Sequence, residues 1–213
     1  MAKKEEYIRG DHYLFPARVL DLIEIADGKF LLNFDKLFEM KAGHVVAIAI
    51  DDSHPPRIYS LCCGETDAYL QILFDLKEDG LLTPRLAKLK KGDKIFISKP
   101  YGSFMPTADV PMWWIATGTG IAPFYAMLKS GYTAQKLLHG ARGAVFFYFE
   151  RDFKESLKHN YIRCNSGTDS QGDFFGHVTR WLEEAEELPS NNHYYLCGRA
   201  LMVVEVRDLL ISK

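Results

Sequence analysis

The chain has 213 residues, enough for one large domain or two small ones, with 47% hydrophobic and 25% charged side chains. That composition excludes a disordered chain and leaves apolar material for a real core. With 26 Lys+Arg against 28 Asp+Glu the net charge is −2, which excludes a general nucleic-acid binder.

From Tyr13 to Phe104 the sequence is a series of short apolar runs: Ala17–Ile25, Phe30–Phe34, His44–Ile50, Arg57–Leu61, Tyr69–Asp75 and Lys94–Ser98. Turn signals separate them at Asp27-Gly28, Ala42-Gly43, Pro55-Pro56 and Lys91-Gly92-Asp93. Short strands at this spacing predict an antiparallel barrel or sandwich. From Pro111 strand and helix alternate: strand Met112–Ala116, helix Pro123–Lys129, strand Lys136–His139, an apolar then charged stretch Val145–Leu157, strand Tyr161–Cys164, helix His177–Leu188, strand His193–Cys197 and helix Leu201–Leu210. That alternation predicts βαβ units on a parallel sheet. The joint falls at Met105–Val110, giving domains 1–107 and 108–213.

No apolar run reaches the roughly 20 residues of a bilayer span, and the charged start Met-Ala-Lys-Lys-Glu-Glu-Tyr is no secretory signal. Cys62, Cys63, Cys164 and Cys197 lack the spacing of a disulfide framework, a zinc site or an iron–sulfur cluster. The expectation is a soluble, cytoplasmic, metal-free protein without a membrane or nucleic-acid partner.

Four segments carry candidate chemistry. Thr117-Gly118-Thr119-Gly120-Ile121-Ala122-Pro123 follows a strand and opens a helix; it reads as a pyrophosphate loop or as a tight strand-to-helix turn. In Arg57-Ile58-Tyr59-Ser60 the Arg and the Tyr share one strand face, suiting a phosphate and a flat ring, or simply surface and core. Gly80-Leu81-Leu82-Thr83-Pro84 reads as a helix start with Thr83 as N-cap and Pro84 next, with or without an anion beside it. Cys197-Gly198 ends a parallel strand, where ligands sit, or supplies a buried filler.

In this order the segments resemble the ferredoxin–NADP⁺ reductase family of flavoproteins, most of all its bacterial ferredoxin/flavodoxin reductases. Arg57–Ser60 resembles the flavin motif, Gly80–Thr83 the FAD pyrophosphate motif, Lys99-Pro100-Tyr101-Gly102-Ser103-Phe104 the closing strand of the flavin barrel, Gly118–Pro123 the nicotinamide-nucleotide loop, and Leu196-Cys197-Gly198 the nicotinamide-facing segment. The resemblance implies an antiparallel FAD-binding β-barrel followed by a doubly wound α/β domain for NADPH or NADH, with electrons passed to ferredoxin or flavodoxin. Two other functions stay open: a reductase of free flavin, and an electron-transfer subunit of a larger complex.

The resemblance further implies a role for each motif residue. Arg57 would pair with the FAD pyrophosphate, Tyr59 would lie against the isoalloxazine, and Ser60 would hydrogen-bond near its N5. Gly80, Leu81, Leu82 and Thr83 would frame the FAD pyrophosphate. Thr117, Gly118, Thr119, Gly120, Ala122 and Pro123 would hold the nicotinamide nucleotide, and Cys197 with Gly198 would flank the nicotinamide ring. Ser60 and Cys197 would thus stand beside the reacting atoms. Arg142 and Ser166 would meet the 2′-phosphate, while Gly167 and His177 stand where the family places further Arg residues, so only modest NADPH preference, or none, is expected. The family commonly ends in a strand with a final aromatic ring over the flavin; here the sequence reads Leu210-Ile211-Ser212-Lys213, and an open flavin face, or cover from Tyr101 or Phe104, is the expectation.

Overall fold

The computed structural model describes residues 7–9, 12–107, 109–169 and 171–213, with the backbone alone for 7–9 and 12. The first six residues of the charged start, and Ala108 in the expected joint, lie outside them. The chain forms two compact units, Met1–Met105 and Pro106–Lys213.

The first unit holds β1 (Tyr7–Arg9), β2 (His12–Ala26), β3 (Lys29–Asp35), β4 (Val45–Ala49), β5 (Arg57–Ser60), β6 (Tyr69–Asp75), helix α1 (Thr83–Leu86) and β7 (Lys94–Ile97). They form one antiparallel sheet in the order β5-β4-β7-β2-β3-β6, with β1 on β2. β2 is long enough to serve two partners: Phe15–Arg18 pairs with β7, and Val19–Ala26 pairs with β3 through register shifts that bend the strand. A bridge between Leu61 and Ile72, with Cys62 N–H donating to Gln71 O at 2.9 Å, joins the two ends of the order and closes a barrel. Alternation sends Phe30, Leu32 and Phe34 of β3 inward against Ile48, Leu61, Leu70, Ile72, Ile95 and Ile97. Leu82 and Leu86 plug α1 into that same core.

The second unit holds β8 (Met112–Thr117), α2 (Ala122–Lys129), β9 (Lys136–Ala141), α3 (Glu150–Leu157), β10 (Tyr161–Asn165), the two-residue β11 (Phe174–Phe175), α4 (Val178–Glu184), β12 (His193–Cys197) and α5 (Ala200–Ser212). Its sheet is parallel throughout, in the order β11-β10-β9-β8-β12. Successive residues of β8 face opposite layers, which explains the paired tryptophans. Trp114 stacks on Phe124 of α2, whereas Trp113 joins Trp181 of α4 and Val206 of α5 in the other layer. Helices therefore cover both faces, the doubly wound arrangement expected.

One expected helix is shorter than read. The His177–Leu188 pattern is helical only through Glu184, and Ala185 is extended, so Glu186 and Glu187 lie beyond the helix rather than on its outer face. Like charges at 183, 184, 186 and 187 disfavour another turn. The freed carbonyls of Leu182 and Glu183 accept hydrogen bonds from Lys213 Nζ at 2.9 and 3.1 Å.

Candidate functional site

In the first unit the candidate residues sit on β5 and at the start of α1. β5 pairs with β4 in the register Ile48↔Arg57, Val46↔Tyr59 and Val45↔Ser60. Arg57 is exposed and makes no ion pair with a described residue. Tyr59 is half-buried against the barrel core, edge-on to Phe74 with ring centroids 6.4 Å apart. Burial pushes its phenol up to about 12, so it stays neutral across physiological pH. Ser60 closes the strand half-buried, its hydroxyl without a hydrogen bond to any described residue. β5 thus presents a guanidinium, a flat ring and a hydroxyl in sequence, the first and last uncommitted.

Before α1 the chain turns tightly. Gly80 N–H donates to Lys77 O at 2.8 Å, and a Cβ on Gly80 would stand 2.9 Å from that oxygen. Thr83 is not the N-cap expected. Leu82 occupies that position, and the Thr83 hydroxyl instead accepts from Lys77 N–H at 2.9 Å and reaches Lys77 O at 3.2 Å. Committing the side chain to the loop leaves the backbone N–H groups of Leu81, Leu82 and Thr83 without an acceptor among the described residues. Three adjacent free donors on this turn and an uncommitted guanidinium on β5 are the groups a pyrophosphate takes, so the residues present fit the diphosphate of a dinucleotide. Arg85 is spent elsewhere: it pairs with Asp51 and donates to Ser53 Oγ at 3.1 Å, tying the loop before β5 to α1. The guanidinium holds the Asp51 carboxyl well below the usual carboxylate range.

In the second unit the site gathers at the carboxyl ends of β8 and β12, neighbours on opposite sides of the point where the strand order reverses. A 3₁₀ turn, Gly118–Ile121, leads from β8 into α2, with Ala122 and Pro123 as its first two residues. A Cβ on Gly120 would stand 2.3 Å from Cys197 O, and one on Gly198 2.1 Å from Thr117 Oγ1. These glycines let the two strand ends touch. Gly118 differs: it has φ +56° and nothing within 4 Å of where a Cβ would stand, leaving the loop an open face. Thr117 Oγ1 accepts from Arg199 N–H at 3.1 Å and fixes the turn after β12. Burial raises the Cys197 thiol to about 11, so it is a neutral side chain, not a thiolate. Burial likewise raises the Cys63 thiol to about 11.

The ends of β9 and β10 bring Arg142, Ser166 and Gly167 together. Ser166 N–H and Oγ both donate to Ala141 O, at 2.9 and 3.3 Å, and a Cβ on Gly167 would stand 2.9 Å from Arg142 C and O. Arg142 is exposed. His177 is exposed at the N-cap of α4, without a capping side-chain bond. The sequence reading missed Asp169, whose Oδ2 accepts from Ala144 N–H at 2.7 Å; no spacing in Ser166-Gly167-Thr168-Asp169 points back to residue 144. Among the described residues no group of three His, Cys, Asp or Glu is placed to hold a metal, and no helix is long and apolar enough to cross a membrane.

Residues 114–208 match the family model of the oxidoreductase NAD-binding domain. The flavodoxin/ferredoxin–NADP reductase of Escherichia coli (strain K12) is 28% identical over 182 residues, covering 74% of this chain and 73% of that protein. The ferredoxin–NADP reductase of Pseudomonas aeruginosa is 32% identical over 142 residues, covering 61% and 55%. This chain is similar in sequence to the ferredoxin–NADP⁺ reductases. A ferredoxin–NADP⁺ reductase of Neisseria gonorrhoeae, solved with FAD and NADP bound, superposes with a TM-score of 0.83 at 17% identity, over 93% of this chain and 91% of that one. At that identity the likeness establishes the ferredoxin–NADP⁺ reductase fold in both units.

Proposed function

We propose that this protein is an FAD-dependent oxidoreductase that draws a hydride from NADPH or NADH and delivers electrons to ferredoxin or flavodoxin. The observation that carries the reading is the set of uncommitted groups on β5 and α1: Arg57, the Ser60 hydroxyl, and the N–H groups of Leu81, Leu82 and Thr83. Bound FAD supplies the chemistry, accepting an electron pair as hydride and releasing electrons singly. Arg57 and the turn from Gly80 to Thr83 hold its pyrophosphate. Tyr59 lies flat against the isoalloxazine, and Ser60 donates a hydrogen bond beside N5. In the second unit Thr117, Gly118, Thr119, Gly120, Ala122 and Pro123 receive the nicotinamide nucleotide's pyrophosphate, and Cys197 and Gly198 flank its nicotinamide. Arg142 and Ser166 meet the adenosine end.

The test is direct. The purified protein is expected to be yellow, to release FAD on denaturation, and to oxidise NADPH or NADH with ferricyanide, ferredoxin or flavodoxin as acceptor. Arg57→Ala is expected to lower FAD retention through a charge-assisted contact worth about 1.5–3 kcal/mol. A colourless protein that takes up no added FAD sinks the proposal. FAD reduction by NAD(P)H with transfer to free flavin alone removes ferredoxin and flavodoxin from it.

A further inference from the structure

The next step rests on the reading of the second unit as a nicotinamide-nucleotide binder, and concerns which nucleotide it takes. In a doubly wound sheet the pyrophosphate sits on the loop after the first strand. The adenosine ribose falls at the end of the adjoining strand, about 20 residues further on. Counted from Gly120, that rule reaches the end of β9 at Arg142, Gly143 and Ala144. A ribose 2′-phosphate needs cations and donors there, whereas a bare 2′,3′-diol needs an acceptor, best a carboxylate.

Both signs of charge occur at this place. Arg142 is exposed and makes no ion pair with a described residue. The carboxylate is Asp169, carried over from the loop after β10. Its Oδ2 accepts from Ala144 N–H at 2.7 Å, and its Oδ1 accepts from Asn165 Nδ2. Asn165 is fully buried, and is itself fixed by donating to Gln171 O at 2.6 Å and accepting from Gly167 N–H at 2.8 Å. The carboxylate lies against Gly143, where a Cβ would stand 3.2 Å from Oδ2. A second cation is kept out at position 167, because any side chain there drives its Cβ to 2.9 Å from the Arg142 backbone. The site therefore holds one exposed guanidinium and one carboxylate locked in place.

We infer that Asp169 is a specificity-determining residue that selects the ribose 2′,3′-diol of NADH over the 2′-phosphate of NADPH. A carboxylate offers about four lone-pair sites, so two bonds from the protein leave acceptors for a ribose hydroxyl. A phosphate dianion in the same place meets a fixed like charge, which the solvated Arg142 offsets only in part.

ADP-ribose and 2′-phospho-ADP-ribose test this by calorimetric titration of the purified protein, because neither carries a nicotinamide and neither readout depends on flavin reduction. Wild type is expected to bind ADP-ribose about tenfold more tightly. Asp169→Asn and Asp169→Ser are each expected to move the ratio of the two affinities about tenfold toward the phosphorylated ligand. Arg142→Ala is expected to weaken the phosphorylated ligand alone. A wild type that prefers the phosphorylated ligand, or a ratio unmoved in both Asp169 variants while both ligands bind, overturns the inference. Binding of neither ligand by wild type overturns the nucleotide-binding reading itself.

Discussion

Two glycines of one loop, Gly118 and Gly120, do different work. Gly120 has no room for a side chain because Cys197 O stands 2.3 Å from its would-be Cβ, and the obstacle is backbone. Gly120→Ala is therefore expected to part β8 from β12 and cost about 2–4 kcal/mol in urea unfolding, with loss of nucleotide binding. Gly118→Ala meets only the left-handed backbone and should cost about 1 kcal/mol. Ser60→Ala removes a hydroxyl that makes no hydrogen bond to a described residue. Stopped-flow flavin reduction should fall on the order of 10²-fold while FAD content is unchanged, and an unaltered rate removes Ser60 from the reaction. The placement of Arg57, Tyr59 and Ser60 on one strand, and of Gly118 and Gly120 after a strand, was legible from apolar runs and turn residues. Thr83 was misread because its hydroxyl turns back six residues to Lys77, and Asp169 was invisible because its partner Ala144 lies 25 residues back, across a helix and a strand. Such bonds leave no local pattern.

Among the elements, β9 and β10 share a buried polar pair. His139 is fully buried, with Nδ1 2.9 Å from the Tyr161 hydroxyl and its ring edge-on to Phe147. Burial drives its pKa down to about 3 from 6.5. The unfolded chain then binds one more proton than the folded chain between those values. Stability is complete above about pH 6.5 and is lost as pH falls toward 3. Between pH 7.5 and 5 the loss from this residue is about 2 kcal/mol. Urea unfolding at the two pH values should show it, and His139→Gln should flatten the slope; an equally steep variant assigns the effect to other groups. Strand positions were legible from apolar runs, with ends agreeing to within a few residues for β3, β6 and β12. The end of α4 was not, because Lys213 meets its carbonyls from the far end of the sequence. The two-residue β11 is too short to leave a pattern.

For the whole molecule, the change from short alternating strands to strand–helix alternation marked a two-part chain, and each compact unit carries a core of its own. Ligands should act on them separately. FAD at about 100-fold excess over its Kd should stabilise the first unit by about 2.7 kcal/mol, and ADP-ribose the second by a similar amount. Calorimetry is expected to show two transitions, each moved upward by its own ligand, by roughly 10 °C for a unit of this size. A single transition displaced equally by either ligand would mean that the units unfold as one.

The placement of the indole rings has an optical consequence. All three tryptophans of the chain fall in the second unit: Trp114 on Phe124, and Trp113 and Trp181 against each other with Lys136 Nζ 5.2 and 5.0 Å from their ring centres. The barrel has tyrosine and phenylalanine only. Emission excited at the red edge of indole absorption therefore watches one half of the chain, and the visible absorbance of FAD, if bound as proposed, would watch the other. With the proposed FAD in place, a single denaturation series followed at both wavelengths is expected to yield two melting curves from one sample, without labels.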